Sequence, residues 1–156
     1  MELITVLLVV AVTAALAVSR TNRDPIVLST QAEQLAGDIR YVQSLAMTRV
    51  AAAAPQARYR INFTASSYTF TKADGTAVPH PSTGSVAAIG LSSNVTMAWS
   101  GNLPGNLVGF DEKGIPYTNA AVSSTLDTNK AVITLTLNTL NRTVEIYPET
   151  GLVRVP

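Results

Sequence analysis

The chain contains no cysteine, one histidine and one tryptophan, and only 13% of its residues are charged. Without thiols there is no disulfide, no thiolate nucleophile and no thiolate metal site, so packing alone must hold the fold. The single histidine, His80, lies between Pro79 and Pro81. It lacks the paired ligands of a metal centre and a nucleophile to serve, and reads as an exposed loop residue. No G-x-G-x-x-G, Walker or G-x-S-x-G pattern occurs, which removes the phosphate cradle and the nucleophile elbow. Neither enzymatic activity nor a cofactor is expected. The net charge is +1, so bulk electrostatics draw in neither nucleic acid nor an anionic membrane. Nineteen threonines take the place of charge, a composition suited to a neutral surface that packs on copies of itself or faces the extracellular medium. At 156 residues there is room for one core of ordinary size.

Charge is also missing from the whole stretch Leu3 to Val18, whose only polar side chains are Thr5 and Thr13. As a helix, Met1 to Val18 is about 27 Å long, just short of a ~30 Å hydrocarbon core. A helix apolar on every side must be buried in lipid or in protein. Three explanations fit. A cleavable secretory signal needs a basic start, whereas Met1 and the acidic Glu2 precede this run. A plain membrane anchor followed by Arg20 and Arg23 would leave the rest of the chain in the cytoplasm by the positive-inside rule. A processed helix that has already lost a basic leader, with Met1 as mature N-terminus, is the third reading and the one carried forward.

Ser19 to Asp24 is the first polar break. Asp24-Pro25 reads as a helix start, with Asp as cap and Pro at the first helical position, or as a kink in one long bent helix; the bent helix is the expectation. From Pro25 to Ala54, Leu28, Ala32, Leu35, Ile39, Val42 and Ala46 recur at steps of four and three, an amphipathic helix with its stripe toward a core. Glu33, Asp38, Arg40 and Arg49 read as lying off the stripe, and Pro55 ends the helix. Strands follow. Ala57 to Phe63 and Ser67 to Thr71 alternate and form a hairpin across Thr64 to Ser66. Val78 to Ser85 is a loop. Weaker strands fit Val86 to Leu91, Val95 to Trp99 and Leu107 to Phe110. After a loop over Asn119 to Lys130, Ala131 to Leu137 reads as the clearest buried strand, Thr143 to Tyr147 pairs with it, and Leu152 to Val155 closes the chain. A helix followed only by strands is α+β, an antiparallel sheet laid on one helix. The division expected is an apolar N-terminal helix over 1–24 and a globular domain over 25–156, with an amphipathic helix at 25–54 and a sheet at 57–156.

The N-terminal run resembles the signature of type IV pilins and type II secretion pseudopilins. Leu3, Ile4, Val9, Val10 and Ala11 fall in register with it when Met1 is the first mature residue. The family's usual glutamate at the fifth position is Thr5 here, so the partner of the N-terminal ammonium would be Glu2 or solvent. Further segments resemble the H-type pseudopilin and T-type minor pilin family (GspH/FimT): Leu35 to Ala46, Tyr59 to Phe63, Phe110 to Pro116 and Thr143 to Val155. Together the matches run from Met1 to Val155. The resemblance implies a pilin fold and maturation by a prepilin peptidase leaving a methylated N-terminus. It also implies residence in the bacterial inner membrane with the domain in the periplasm. Assembly with copies of itself or other pilins into a helical filament would follow, through Met1, Glu2, Leu3, Ile4, Thr5, Val9, Val10 and Ala11.

Three minor features remain. Asp111 and Glu112 beside Gly114 offer two carboxylates where calcium needs about six to eight oxygens, so they read as a solvated turn. Asn62, Asn94 and Asn141 begin N-x-S/T triplets, expected by chance in a chain so rich in threonine and asparagine. Arg58 and Arg60, with Arg142 and Arg154, offer a basic patch for DNA phosphates. Some T-type minor pilins bind DNA through a C-terminal G-R-x-R pattern; Gly151 to Arg154 lacks its first arginine, and arginines solubilising a sheet face are the plainer reading.

Overall fold

The computed structural model describes residues 2–21, 23–48, 59–119, 124–126 and 128–156, with the side chains of 3–13 in the first helix. Among the described residues two helices, α1 (Glu2–Thr21) and α2 (Asp24–Thr48), precede nine strands. The described helical residues fall on either side of residue 22, which lies outside the described residues. The Val27 N–H donates to the Arg23 carbonyl at 3.0 Å, so Pro25 sits in the first turn of α2, where its missing N–H costs nothing. Asp24 does not act as the expected cap: its carboxylate accepts from Asn138 Nδ2 at 2.8 Å. The predicted continuation of α2 to Ala54, its stop at Pro55, and Ala57 and Arg58 all lie outside the described residues.

The strands form two sheets rather than the one expected. β1 (Tyr59–Phe63), β2 (Ser67–Lys72), β3 (Ile89–Gly90), β5 (Leu107–Phe110) and β6 (Pro116–Tyr117) make a first sheet in the order β3-β2-β1-β5-β6. β4 (Val95–Trp99), β7 (Ala131–Leu137), β8 (Leu140–Ile146) and β9 (Val153–Arg154) make a second, in the order β4-β7-β8-β9. Every strand pairing is antiparallel. The Met97 N–H donates to the Ala65 carbonyl at 2.8 Å, tying the edge strand of one sheet to the β1–β2 turn of the other. α2 packs on β1 and β5 of the first sheet and on β7, β8 and β9 of the second, so both sheets share one core.

All six predicted stripe residues of α2 are buried, joined by Ala36, Leu45 and the unexpected Asp38. β7 alternates buried with half-buried positions instead of being covered on both faces, because α2 lies on one side only. The hairpin β7–β8 pairs Leu137 with Leu140 across Asn138-Thr139, and Asn138 takes a φ of 56°, the left-handed region that asparagine tolerates. β6 was not foreseen, since it begins with a proline.

Candidate assembly surface

The described side chains of α1 form no core of their own. Every residue from 3 to 13 is exposed, including eight large apolar side chains from Leu3 (74% exposed) to Val12 (51%). At ~1.5–3 kcal/mol per buried side chain, covering them is worth roughly 12–24 kcal/mol. A helix surface of this kind is a surface for other molecules. Thr5, Val6, Val9 and Val10 line a shallow apolar groove of ≈ 250 Å³, the gap between side-chain ridges into which a second helix seats. The Thr13 hydroxyl donates to the carbonyls of Val9 (2.8 Å) and Val10 (3.0 Å), which removes the penalty of burying it. Leu3, Ile4, Thr5, Val9, Val10 and Ala11 thus share one exposed helix. Met1 lies outside the described residues, as does the side chain of Glu2. Among the described residues, no helix is long and apolar enough to cross a membrane; the described side chains of α1 stop at Thr13.

The arginines are not brought together. Glu145 and Arg154 are cross-strand partners and share a face of the second sheet. Arg142, three residues before Glu145, lies on the opposite face by the two-residue period. Arg154 also sits beside a carboxylate. Arg60 is on the other sheet, its Nε donating to Thr71 Oγ1 at 2.9 Å, and its Nη1 is buried without a partner among the described residues. Arg58 lies outside them.

Lys130 Nζ pairs with Glu145 Oε1 and lies over the Tyr147 ring. The hydrogen bond from Lys130, reinforced by that of Tyr147, holds the Glu145 carboxyl below its ordinary range, and the same bond raises the Lys130 ammonium. Stability from a depressed carboxyl is present above the unfolded value of ~4.3 and lost as pH falls through the folded one. Stability from a raised ammonium is complete below ~10.4 and lost as pH rises past the folded value. The difference in Tm between the native chain and a Glu145→Gln variant is therefore expected to be flat through neutral pH and to close at the acid end; a gap that persists to pH 2 contradicts this.

Two other expectations are corrected. His80 is 6% exposed, stacked on Phe70 at 5.5 Å, with Nε2 3.1 Å from both oxygens of Asp38. Asp38, also 6% exposed, accepts the Tyr68 hydroxyl at 2.6 Å; burial and this carboxylate push the Tyr68 pKa upward. The Ser82 N–H donates to His80 Nδ1 at 3.3 Å and Ser82 Oγ lies 2.8 Å from it. Since an N–H only donates, Nδ1 is the acceptor and the proton is on Nε2, directed at Asp38. With Nδ1 the acceptor, the Ser82 hydroxyl donates to it, so Ser82, His80 and Asp38 form one hydrogen-bonded chain. The cluster is a structural tie between α2, β2 and the 78–85 loop. Asp111, read as solvated, is 6% exposed: its Oδ1 accepts the N–H groups of Lys113 (2.9 Å) and Ile115 (2.8 Å), closing the turn on itself. Among the described residues no group of three or more potential ligands is placed to hold a metal. Of the triplet asparagines, Asn62 is half-buried with its amide donating to Thr71.

The architecture has a solved counterpart. The type IV minor pilin FimU of Pseudomonas aeruginosa aligns over 86% of this chain and 91% of its own, with a TM-score of 0.54 and 14% sequence identity. This chain is similar in fold to a type IV minor pilin. No protein-family model and no curated protein sequence matches it. The likeness is one of fold alone.

Proposed function

We propose that the chain is a structural pilin-like subunit, of the GspH/FimT kind, that polymerises through its N-terminal helix into a type IV pilus or a type II secretion pseudopilus. The observation that carries this reading is the exposed apolar surface of α1 joined to a domain whose own core is complete. Residues 1–24 are the polymerising segment and 25–156 the domain displayed outside it. Before assembly, the uncharged run Leu3 to Val18 holds the subunit in the inner membrane with the domain in the periplasm. On assembly the helix leaves lipid for a bundle of equivalent helices. That exchange is nearly neutral in apolar burial, so helix packing and contacts between domains supply the free energy. Leu3, Ile4, Thr5, Val9, Val10 and Ala11 make the helix contacts, with Met1 and Glu2 at the end that a prepilin peptidase exposes.

Electron microscopy of sheared surface fibres, with mass spectrometry of the N-terminus, tests the reading. The expected result is the chain in the fibre with Met1 as a processed, methylated terminus. Val9→Asp, which places a carboxylate costing ~2.5–3.5 kcal/mol at the centre of an apolar span, is expected to remove it from fibres. An unprocessed terminus with no fibre association supports a plain anchored domain instead, and fibres built by a chain lacking 1–24 overturn the proposal.

A further inference from the structure

The end of the domain nearest α1 carries features the assembly reading does not use. Asn138 at the β7–β8 tip is bonded to Asp24, which fixes that hairpin beside the start of α2. Around this junction Ile26 is 68% exposed and Leu140 36% exposed, and Arg23 and Arg142 are exposed. Leu140 and Arg142 are two residues apart on one strand and so share a face, the face paired to buried Leu137 and Leu135. Apolar and cationic side chains are thus grouped on one end of the domain, where the Asp24 carboxylate accepts from Asn138.

The chain's connectivity places this end. The apolar run stops at Val18. Three helical residues to Thr21 add about 4.5 Å, and three more to Asp24 reach at most ~11 Å. Asp24 is therefore within about 15 Å of the end of the apolar run. The headgroup layer is roughly 5–8 Å thick on each side of the hydrocarbon. With α1 in a bilayer, Ile26 and Leu140 are held at or just above that layer, at the depth where cations attract anionic phosphate.

We infer that this end of the domain is a membrane-facing collar: Arg23 and Arg142 engage phosphates of anionic phospholipid while Ile26 and Leu140 enter the headgroup region. The inference rests on the membrane-resident state proposed above. The collar orients the domain over the bilayer before assembly, and its release is part of leaving the membrane. It also gives Arg142 a phosphate partner that does not require Arg154.

The absence of native cysteine makes the test direct. The full chain carrying Leu140→Cys, labelled with an environment-sensitive fluorophore, is reconstituted into vesicles of phosphatidylcholine alone or with an equal part of phosphatidylglycerol, each doped with headgroup spin-labelled lipid. A label at Gly101, where an added side chain meets nothing within 4 Å, serves as reference. It lies beyond Trp99, about 20 Å along β4 from the hairpin end. The expected result is quenching at position 140 and none at 101, stronger with phosphatidylglycerol. The docked fraction should fall about five-fold in Arg23→Gln, which removes one charge, further in Arg142→Glu, which reverses one, and fall with salt. A chain that inserts, resisting carbonate extraction, yet shows no quenching at 140 overturns the collar and leaves the anchored state standing. Equal quenching in both vesicles, unchanged by Arg142→Glu, overturns the phosphate recognition. A label shielded in sheared fibres and never in vesicles assigns the surface to a neighbouring copy and overturns it too. A chain extracted by carbonate overturns the membrane reading itself, and the collar with it.

Discussion

Gly151→Ala is expected to destabilise the domain by about 2–5 kcal/mol. Gly151 has φ +64°, and a Cβ built on it would lie 2.3 Å from the Gly114 carbonyl oxygen, 2.5 Å from Gln43 Nε2 and 3.1 Å from the Phe110 ring. The left-handed backbone alone costs a non-glycine residue ~1–2 kcal/mol, and forcing volume into a packed site costs a further ~1–3 kcal/mol. The neighbours have little room to yield. Gln43 Nε2 donates to the carbonyls of Gly114 (3.0 Å) and Thr150 (3.2 Å), and Gly151 N–H donates to the Tyr147 carbonyl at 3.0 Å. One α2 side chain thus ties two turns together, and Gly151 is where they touch. Gly37 is the contrast: it lies within α2 on an exposed position with nothing within 4 Å of an added Cβ, so Gly37→Ala is expected to stabilise by ~0.5–1 kcal/mol. Thermal melts separate the two, at roughly 2–4 °C per kcal/mol for a chain of this size. A Gly151→Ala variant within a degree of the native Tm would contradict the packing described.

What was legible in the sequence was local and periodic. The α2 stripe follows from steps of three and four, and the β1–β2 hairpin from alternation either side of Thr64 to Ser66. The exposed apolar helix follows from composition alone. What was not legible depends on contacts far apart in the chain. The choice of β4 to pair with β7, and of β5 to pair with β1, divides the strands into two sheets, and no single strand's pattern encodes that choice. Asp38 is an instructive miss. It stands three residues after Leu35 and four before Val42, so its spacing puts it on the buried stripe, and only its charge argued for solvent. Its partners Tyr68 and His80 are 30 and 42 residues away. A lone acidic residue on an apolar stripe, together with a lone histidine elsewhere, was the available signal. The closing strand was legible; the reason the turn before it needs glycine at 151 lies in Gly114 and Gln43.

Asp38→Ala is expected to cost about 2–6 kcal/mol, the other large effect in this domain. The carboxylate accepts from the Tyr68 hydroxyl and from His80 Nε2, and both donors are enclosed: Tyr68 is 1% exposed and His80 6%. Removing the shared acceptor leaves each unsatisfied, at ~1–3 kcal/mol per buried donor. Tyr68→Phe removes one donor and leaves Asp38 its histidine, so its cost is limited to one charged hydrogen bond, ~1.5–3 kcal/mol. The two changes are expected to couple, since Asp38→Ala costs less once Tyr68 is already phenylalanine. Replacing all three polar groups by apolar ones of similar size is expected to recover much of the loss, because a buried charge network is often matched by a well-packed apolar substitute. Urea denaturation gives the ordering through the midpoint at constant slope. The 78–85 loop supplies a second readout. His80 is its anchor to α2, and His80 N–H and Gly84 N–H donate to the Ser85 and His80 carbonyls at 2.8 Å each. Amide exchange at these two positions should accelerate in Asp38→Ala and keep its native rate in Gly37→Ala. Equal costs for Asp38→Ala and Tyr68→Phe, with exchange in the loop unchanged, would mean that the histidine contributes nothing to the tie.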